Sequence, residues 1–303
     1  MRTLTITEND ANQRLDRFLQ KAIPTLGASL LQKFIRQKRI KVGGKKTSHN
    51  YRLQTGDILT LFIPEEFAFG EKSAPSAPHG KSSNLDKPNR LEICHEDEDL
   101  LIVVKPQGLL CHSTNNQGED TLIDRVKAYL QSTGAWIPGA SHAFAPALCN
   151  RLDRNTGGLV IAAKTAAALQ EMNRLLRERL IEKYYLCLVH GTPAPSQGKL
   201  VGKIVKDPKT NQVQVLPGES PQGKQAITCY KTLETKGDRS LVECQIITGR
   251  THQIRAQLAM LGTPIVGDRK YGKSTSGKGQ ALWAHRLVFP DGRMYEVGVP
   301  FGV

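Results

Sequence analysis

Near the middle of the chain lies the run Asn150-Arg151-Leu152-Asp153-Arg154-Asn155-Thr156-Gly157-Gly158-Leu159-Val160-Ile161. It places one carboxylate, that of Asp153, between two arginines and ahead of a Thr-Gly-Gly turn and an apolar strand. Glycines in such a turn let a substrate or another backbone approach closely, and flanking guanidinium groups keep a carboxylate ionised, as a nucleophile must be. Asp153 is therefore a candidate reacting group. The competing interpretation is a charged surface turn in which Asp153 pairs with a neighbouring arginine, which is common and stabilises little.

The same run resembles the Arg-Leu-Asp-x-x-Thr-Ser-Gly-Leu signature of the Rlu-type (RluA family) RNA pseudouridine synthases. These enzymes isomerise uridine in large-subunit ribosomal RNA and related RNAs. In that family the Asp is the catalytic residue, and the resemblance puts it at Asp153. The chain departs from the pattern at two positions, with Asn150 where the family usually has His and Gly157 where it has Ser. Both departures flank the Arg-Leu-Asp core, so they bear on the positioning of Asp153 more than on its chemistry.

A second segment, Glu182-Lys183-Tyr184-Tyr185-Leu186, matches the Lys-x-Tyr strand of the same family. The match implies that Tyr185 is the active-site tyrosine. An aromatic ring at that place can stack on an extruded base while its hydroxyl assists proton transfer. Without the resemblance, a strand tyrosine with its hydroxyl at the sheet edge is the simpler interpretation.

A third segment, Gly249-Arg250-Thr251-His252-Gln253-Ile254-Arg255, matches the family motif Gly-Arg-x-His-Gln-Ile-Arg. The resemblance implies that Arg255 pairs with the catalytic carboxylate of Asp153 and orients it, which a guanidinium can do bidentately. Arg250 and His252 are then expected to contact RNA phosphate or to support the loop. RNA contacts are also implied for Arg151 and Arg154, and Arg151 would fill the space that the flipped base leaves.

The composition limits the class of protein. A chain of 303 residues is long enough for one large domain and a smaller one, each with its own core. The net charge of +14 indicates a polyanionic partner, most simply nucleic acid. The sequence contains no uninterrupted apolar run of membrane-spanning length and no signal-peptide core. We therefore expect a soluble, cytoplasmic monomer that binds RNA and no membrane.

No metal or cofactor is expected. The six cysteines are scattered singly, without a C-x-x-C pair, and the eight histidines show no zinc-binding spacing. Most of the cysteines are expected to be small buried apolar residues. The reaction that the resemblance implies breaks and makes bonds within one nucleotide, so it needs no cofactor.

The first 62 residues form a basic segment. They contain twelve Lys and Arg against four Asp and Glu, so +8 of the net charge of +14 lies in about a fifth of the chain. Apolar residues at helical spacing predict a helix that ends at Pro24 and a second one with Ser29 as its N-cap. A short strand at Ile40 and Val42, a Gly43-Gly44 turn and a strand over 58–62 follow. A charge run of this kind is usually a solvated surface.

The order of these elements resembles the RNA-binding domain of the ribosomal protein S-four type across about fifty residues. In that family the second helix and the following turn meet the RNA backbone. The resemblance implies this role for six cations, which are Lys33, Arg36, Lys38, Arg39, Lys45 and Lys46. Phosphate contacts position a protein without reading sequence, and they are sensitive to salt.

The chain is predicted to have three parts: an S-four-like RNA-binding domain over 1–64, a flexible linker over 65–90 and a catalytic domain over 91–303. The linker is rich in Pro, Gly and Ser, so independent motion of the two domains is expected. The predicted fold class is α+β. A small α+β domain is followed by a mixed α+β catalytic domain, built on a long, mainly antiparallel sheet with a central cleft.

Periodicity predicts several elements of the catalytic domain. Strands are predicted over 200–206, 212–216, 226–234 and 240–247, and a closing pair of strands over 281–290 and 293–300. A helix is predicted over 165–180, with a buried stripe formed by Leu169, Met172, Leu176 and Leu180.

One motif is misleading. Residues 267–274, Gly-Asp-Arg-Lys-Tyr-Gly-Lys-Ser, satisfy the G-x-x-x-x-G-K-[ST] pattern of a phosphate-binding loop. Such a loop needs a helix after it, whereas residues 275–279, Thr-Ser-Gly-Lys-Gly, predict a further loop. The segment instead resembles the Gly-Asp-x-x-Tyr-Gly of the pseudouridine synthases, so ATP or GTP binding is not expected.

Three separated signatures behind a basic domain predict an RNA pseudouridine synthase, closest to the large-subunit enzymes of the RluC and RluD kind. Asp153 would act on a flipped-out uridine, and the residues leave open whether it forms a covalent adduct or abstracts a ribose proton to give a glycal. One alternative is a non-catalytic RNA-binding or ribosome-assembly protein, and another is the same reaction on transfer RNA. A glycoside hydrolase would need a second carboxylic acid beside Asp153, which the sequence does not offer.

Overall fold

The computed structural model describes residues 1–64, 67, 91–113, 119–207, 212–272 and 279–302. These residues form two compact units. The first contains the described part of Met1–Pro88 together with Lys127–Ala147 and Lys164–Leu169, and the second contains the described remainder. The predicted linker lies outside the described residues except for Phe67, which packs edge-on against Phe34. The predicted domain boundaries stay a prediction.

The first unit is built on a four-stranded antiparallel sheet covered by two helices. Its elements are β1 (Arg2–Thr5), α1 (Leu15–Ala22), α2 (Ala28–Arg36), β2 (Ile40–Val42), β3 (Lys45–Lys46) and β4 (Ile58–Leu61). The strand order is β1-β4-β2-β3. Leu15, Phe18 and Leu19 on α1 are fully buried because their spacing puts them on one helix face, and Leu31 on α2 packs into the same core.

The predicted N-cap of α2 was wrong. Ser29 is of a residue type that favours N-caps, but the helix begins one residue earlier, at Ala28, with Gly27 as its cap. Gly27 has the extended backbone that a cap needs, with φ −59° and ψ 148°, and no side chain bonds to the first turn. The end of α1 was predicted correctly, since the helix stops at Ala22 ahead of Pro24.

Two side chains join later segments to the N-terminal residues of the first unit. The carboxylate of Asp10 is completely buried and accepts the backbone N–H groups of His142 and Ala143, each at 2.9 Å. Asn9 Oδ1 accepts the N–H of Ala166, at 3.1 Å. Since Ala166 is the first residue of a helix, Asn9 satisfies one of its unpaired N-terminal donors.

The second unit is built on a long mixed sheet. Its strands are β5 (Glu92–Glu96), β6 (Leu100–Lys105), β7 (Ala147–Leu148), β8 (Gly157–Ala163), β9 (Glu182–His190), β10 (Gln197–Lys206), β11 (Val213–Leu216), β12 (Lys224–Lys236), β13 (Arg239–Ile246), β14 (Leu282–Val288) and β15 (Met294–Glu296). The helices are α3 (Leu122–Ser132), α4 (Ala166–Arg177) and α5 (Gln253–Met260), and both α3 and α4 contribute residues to each unit. None of the described helices has the length and apolar character needed to cross a bilayer.

The main path of the sheet runs β11-β10-β12-β13-β9-β14-β8-β6-β5, while β15 pairs with β14 and β7 with β8. The pairings along it are antiparallel except for β8 with β14, which meet in parallel. The predicted fold class, α+β on a mainly antiparallel sheet, is confirmed. The four internal strands predicted from turn signals agree with β10 to β13 to within three residues.

Burial follows the sequence pattern of each strand. β6 and β8 are continuous apolar runs and are buried along their whole length. β13 instead alternates, with Ser240, Val242, Cys244 and Ile246 buried. On β9 the same alternation buries Tyr185, which lies opposite Cys244. Alternation thus determines which face of the sheet Tyr185 occupies.

The buried stripe of α4 differs from the predicted one. Met172 and Leu175 are the buried apolar residues of its second half, and Leu176 is half-buried. Leu180 is 42% exposed, because the helix ends at Arg177 and no longer carries the helical period to residue 180. The helix itself was predicted correctly, but its last turn was not.

Two glycines let β8 approach β14. A Cβ at Gly157 would lie 2.1 Å from the Trp283 ring, and one at Gly158 would lie 2.1 Å from the Ala284 carbonyl oxygen. Gly158 also has φ +110°, which a residue with a side chain rarely adopts. The departure at Gly157 therefore has a physical cause, since the Trp283 ring occupies the space that a serine side chain would need.

Candidate active site

A cavity of about 310 Å³ opens in the second unit beside the start of β8. Three strands contribute to its wall through Tyr185, Ile246 and Leu282, and the loop ahead of α5 contributes residues 249–252. Asp153 lies in its lining with a partly exposed carboxylate. The cavity brings together side chains from all three sequence signatures.

One arginine connects two carboxylates at this cavity. Arg255 donates from Nη1 to Asp153 Oδ2 at 3.0 Å. Its Nε and Nη2 donate to the two oxygens of Asp268, at 2.7 and 2.9 Å. The contact predicted between Arg255 and Asp153 is present, but the bidentate partner of Arg255 is Asp268. A bidentate fork fixes the guanidinium plane, so Asp268 determines where Nη1 points.

The charges of this trio are stabilised by their hydrogen bonds. Burial alone would raise the pKa of Asp268, but Arg255 and the backbone N–H groups of Lys270 and Tyr271 outweigh burial and hold it below its usual value. Burial likewise would lower the pKa of Arg255, and Asp268 followed by Asp153 raises it instead. Arg255 and Asp268 therefore form a stable buried ion pair, and Arg255 also contacts Asp153.

Tyr185 lies in the wall of the cavity with only 8% of its surface exposed. Burial, and then the nearby charge of Asp153, raise the pKa of its phenol well above the usual value. The hydroxyl therefore stays protonated at neutral pH, as a hydrogen-bond donor with an apolar ring. This state suits stacking and donation, and it does not suit a phenolate base.

His252 reaches the same carboxylate from the other side. Its Nε2 lies 3.7 Å from Asp153 Oδ2, and its Nδ1 lies 2.8 Å from the Tyr271 hydroxyl. Tyr271 in turn accepts the N–H of Val213 at 2.7 Å and stacks beneath the Arg255 guanidinium at 5.3 Å. Burial lowers the pKa of His252 below its usual value, an effect that Asp153 only partly offsets. The imidazole is therefore neutral near pH 7.

A buried lysine fixes the loop that carries Asp153. Lys105 is fully buried at the end of β6, and its ammonium donates to the carbonyl oxygens of Leu109 and Arg154, at 2.7 and 3.0 Å. A third bond reaches Pro106 O at 3.0 Å. Burial lowers the pKa of Lys105 to about 8, so its charge is tolerated only because these oxygens surround it. The lysine thus ties the turn over 106–109 to the Asp153 loop.

A glutamine bridge holds the far end of the same loop. Gln280 donates from Nε2 to Thr156 Oγ1 at 2.8 Å, and its own carbonyl accepts the amide of Gln107 at 2.6 Å. Gln107 also donates to Asn155 O at 3.1 Å. All four groups are held by tertiary contacts, so the Asp153 loop is fixed at both ends.

The loop ahead of α5 is held by a buried polar network. Gln253 accepts from Thr248 Oγ1 at 2.8 Å and from the Arg250 N–H at 3.1 Å. Its amide donates to Thr228 Oγ1 at 2.9 Å, and Thr228 donates to Gln257 Oε1 at 2.7 Å. A satisfied network of this kind makes the surrounding backbone rigid.

The remaining predicted RNA-binding residues lie in different places. Arg151 and Arg250 both line the cavity, Arg151 as an exposed side chain and Arg250 bonded through Nε to Gln225 O at 2.9 Å. Arg154 does not line it and donates to Gly108 O at 3.0 Å. The six cations predicted in the first unit are all exposed, and they are Lys33, Arg36, Lys38, Arg39, Lys45 and Lys46. Their contact with RNA stays a prediction.

Sequence reasoning missed Asp268, Tyr271 and Lys105. Asp268 and Tyr271 belong to the Gly-Asp-x-x-Tyr-Gly segment, which was recognised without a role being assigned. A contact over 13 residues between a helix and a turn leaves no periodic signal. Lys105 lies at the end of an apolar strand, where a lone lysine usually indicates the strand's exit to solvent. Within the described ranges, no three His, Cys, Asp or Glu side chains gather as metal ligands would.

Known proteins resemble this chain over most of its length. Residues 99–260 match the family described as RNA pseudouridylate synthase. The chain is 31% identical to the uncharacterized RNA pseudouridine synthase YlyB of Bacillus subtilis, over 97% of this chain and 91% of the relative. It is 31% identical to the ribosomal large subunit pseudouridine synthase C of Vibrio cholerae, over 89% of this chain and 80% of that one.

The fold has a counterpart among solved structures. The human protein RNA pseudouridylate synthase domain containing 1 is 26% identical, with a TM-score of 0.56, over 72% of this chain and 86% of the human one. The family match contains Asp153, Tyr185 and Arg255, which are the three side chains that the signatures bring to the cavity. The chain therefore belongs to the RNA pseudouridylate synthase family and is an RNA pseudouridine synthase.

Proposed function

We propose that this enzyme converts specific uridines to pseudouridine in large-subunit ribosomal RNA and that Asp153 is its reacting carboxylate. The main support is the position of that carboxylate, which is held by Arg255 in the lining of a cavity that also contains Tyr185. Support for the substrate comes from the relative in Vibrio cholerae, which is named as a large-subunit enzyme. A cytoplasmic location follows from such a substrate.

The two oxygens of Asp153 differ in their contacts, which supports different tasks for them. Oδ2 accepts from Arg255 and faces His252. Within the described part of the chain, no hydrogen bond reaches Oδ1. Oδ1 is therefore the oxygen that meets the nucleotide, while Oδ2 keeps the carboxylate oriented. Because Arg255 binds only Oδ2, it orients the carboxylate and leaves Oδ1 accessible to the nucleotide.

The reaction is balanced within one nucleotide. The bond from N1 of uracil to C1′ of ribose breaks, the ring turns, and C5 bonds to C1′. C5 then loses its proton and N1 gains one, so the product is an isomer of the substrate. Asp153 acts on the nucleotide as N1 leaves, Arg255 orients Asp153, and the protonated Tyr185 stacks on the base and donates a hydrogen bond.

The target base must leave its stack to reach this cavity, because a base within a duplex does not expose C1′ and C5 to a side chain. Arg151 is exposed beside Asp153 and is suited to occupy the gap that the base leaves. The cations of the first unit provide the sequence-independent grip, since phosphate contacts from Lys and Arg dominate affinity for RNA.

The decisive experiment is a map of pseudouridine in large-subunit RNA from cells that lack this protein. The cells are complemented with the wild type, with Asp153→Asn, which keeps the side-chain shape, or with Asp238→Asn. Asp238 is a matched control, because its side chain is 83% exposed and lies outside the cavity. Sites that return with the wild type and the control but not with Asp153→Asn would establish both the reaction and the role of Asp153.

Three other outcomes would redirect the proposal. An unchanged map of ribosomal RNA, together with lost sites in transfer RNA, would replace the substrate and keep the reaction. Full restoration by Asp153→Asn would remove Asp153 from catalysis, and a protein that modifies no RNA would favour a binding or assembly role.

A further inference from the structure

We propose that His252, held by Tyr271, is a positioning residue for the Asp153 carboxylate and that turnover requires its imidazole to be uncharged. This role deepens the proposed function and rests on it. Neither the sequence signatures nor the names of the relatives assign a role to His252 beyond the RNA or loop contact expected above.

The geometry uses both ring nitrogens of His252. Nδ1 is hydrogen-bonded to the Tyr271 hydroxyl at 2.8 Å, and that hydroxyl already accepts the N–H of Val213 at 2.7 Å. The phenolic proton is then free to bond to Nδ1, which leaves the ring proton on Nε2. Nε2 faces Asp153 Oδ2 at 3.7 Å, so this tautomer presents a proton to the carboxylate.

The backbone of His252 supports a placed side chain. His252 precedes α5 with φ 53° and ψ 20°, in the left-handed region that residues with a Cβ seldom occupy. Its side chain makes no capping bond to the helix, so capping does not account for this conformation. The Gln253 network fixes the residues on both sides of it. Strain of this kind persists where the surroundings determine it, and it is concentrated at functional sites.

The charge balance explains why the imidazole must be neutral. The charged groups that face His252 are Asp153, Arg255, Lys270 and Asp268. Because Asp268 holds Arg255 bidentately, the guanidinium charge is already shared when it meets Asp153. Arg255 therefore offsets the charge of the Asp153 carboxylate only in part. A second cation on the ring of His252, 3.7 Å from Oδ2, would hold that charge in the ground state and slow its reaction.

Contact with an RNA phosphate fits the geometry less well. The His252 side chain is only 11% exposed, and the nitrogen that would reach a phosphate is the one that faces Asp153. Burial disfavours the imidazolium that a phosphate would need, and the pKa of His252 lies below its usual value for this reason. A phosphate role predicts a change in affinity, and a positioning role predicts a change in turnover.

The test is a pH profile of kcat and KM between pH 5 and pH 9, measured on the full chain with an RNA that contains the target uridine. We expect the wild-type kcat to fall on the acid side with an apparent pKa below about 6.5. His252→Asn, whose residue type tolerates positive φ, should lose that acid limb. Its kcat at pH 7.5 should be lower by about 10- to 100-fold, with KM changed by less than about twofold.

Three further variants separate positioning from folding. Tyr271→Phe keeps the ring against Arg255 but removes the anchor of His252, so it should retain the acid limb with a reduced kcat. His190→Asn changes a histidine outside the cavity and should match the wild type throughout. Thermal midpoints of all variants show whether a loss of kcat reflects a loss of folding. His252→Gln keeps an amide donor of similar reach, so it should retain more of the wild-type kcat than His252→Asn at the same thermal midpoint.

An acid limb that persists in an active His252→Asn enzyme would overturn the role, since another group would then set the limb. A raised KM with an unchanged kcat would also overturn it, in favour of phosphate contact. Wild-type protein that forms no pseudouridine in any RNA would contradict the proposed function itself. That result is distinct from the first two, which both require an active enzyme.

Discussion

Arg255 is the residue on which the site depends, because one guanidinium orients one carboxylate and is itself oriented by another. Its contact with Asp153 could be predicted from the signatures. Its contact with Asp268 could not be predicted, because Arg255 lies on a helix and Asp268 in a turn, and the two come together only in the tertiary structure. A resemblance names the residues that recur in a family, but it does not reveal which of them fixes the direction of another.

Replacing Asp268 tests this dependence. Asp268→Asn keeps the side-chain shape but leaves Arg255 buried with a single carboxylate partner, Asp153. Removal of one member of a buried pair costs about 3–5 kcal/mol. We expect a loss of about 3 kcal/mol in the free energy of unfolding and a fall in kcat of about 10- to 100-fold, because Nη1 loses its fixed direction.

Chemical denaturation and single-turnover kinetics measure the two effects of Asp268→Asn. Asp238→Asn is the control, since it makes the same chemical change on an 83% exposed side chain. Stability and turnover equal to the wild type would show that Asp153 alone is enough to orient Arg255.

Among the secondary-structure elements, the parallel contact of β8 with β14 determines the most about the site. It places the Asp153 loop, which enters β8, beside the strands that supply Tyr185 and Leu282. Most strand pairs of this sheet are antiparallel, so the sequence order of the predicted strands did not indicate that β8 and β14 pair in parallel. The glycine pair 157–158 was visible, but its causes are the Trp283 ring at Gly157 and the Ala284 backbone at Gly158, each 126 positions further along the chain.

Restoring the serine that the family usually has at position 157 should harm this protein. In Gly157→Ser the new side chain meets the Trp283 ring, and overpacking of this kind costs about 1–3 kcal/mol. The cost should shrink to below about 1 kcal/mol in the Trp283→Leu background, because the ring that causes it is gone.

A double-mutant cycle on urea unfolding measures this coupling. Gly298→Ser is the matched control, since a Cβ at Gly298 would meet no atom within 4 Å. Equal costs of Gly157→Ser in the two backgrounds would exclude the ring as the reason for the glycine.

The accuracy of the element predictions follows from the strength of each local signal. α1 and β10 to β13 were located because apolar period and turn residues coincide there. The start of α2 was misplaced because Ser29 was predicted as its N-cap. The end of α4 was misplaced because Leu180, an apolar residue beyond the last turn, was included in the predicted helix. The left-handed turn at His252 had no signal in the sequence, since the Gln253 network beside it joins α5, its preceding loop and β12 only in the folded chain.

At the scale of the whole molecule, charge is distributed unevenly. The first 62 residues hold +8 of the net charge of +14, and the six predicted RNA contacts in them are exposed. Their exposure on the second helix, the turn after it and the third strand could be predicted from sequence, since exposed cations follow from the pattern of buried positions around them. Whether these cations contact RNA is tested by how the affinity for RNA depends on salt concentration.

The salt dependence of RNA binding provides that test. Each phosphate contact contributes about 0.7–0.9 to the slope of log K against log salt concentration. Changing both Lys45 and Lys46 to Gln should therefore reduce the slope by about 1.5, with kcat unchanged at saturating RNA. Lys236→Gln, an exposed lysine of the second unit, is the control. A slope that does not change would place the RNA elsewhere on the protein.

The trio of Asp153, Arg255 and Asp268 has a consequence for how a nucleotide enters. Arg255 lies between the carboxylate of Asp153, which lines the cavity, and that of Asp268, which is buried behind it, while Arg151 and Arg250 add positive charge to the lining. A nucleotide is polarised in the matching sense, with a charged phosphate at one end and a neutral base at the other. We therefore expect the phosphate of the proposed substrate to remain near the arginines and its neutral base to enter the cavity first.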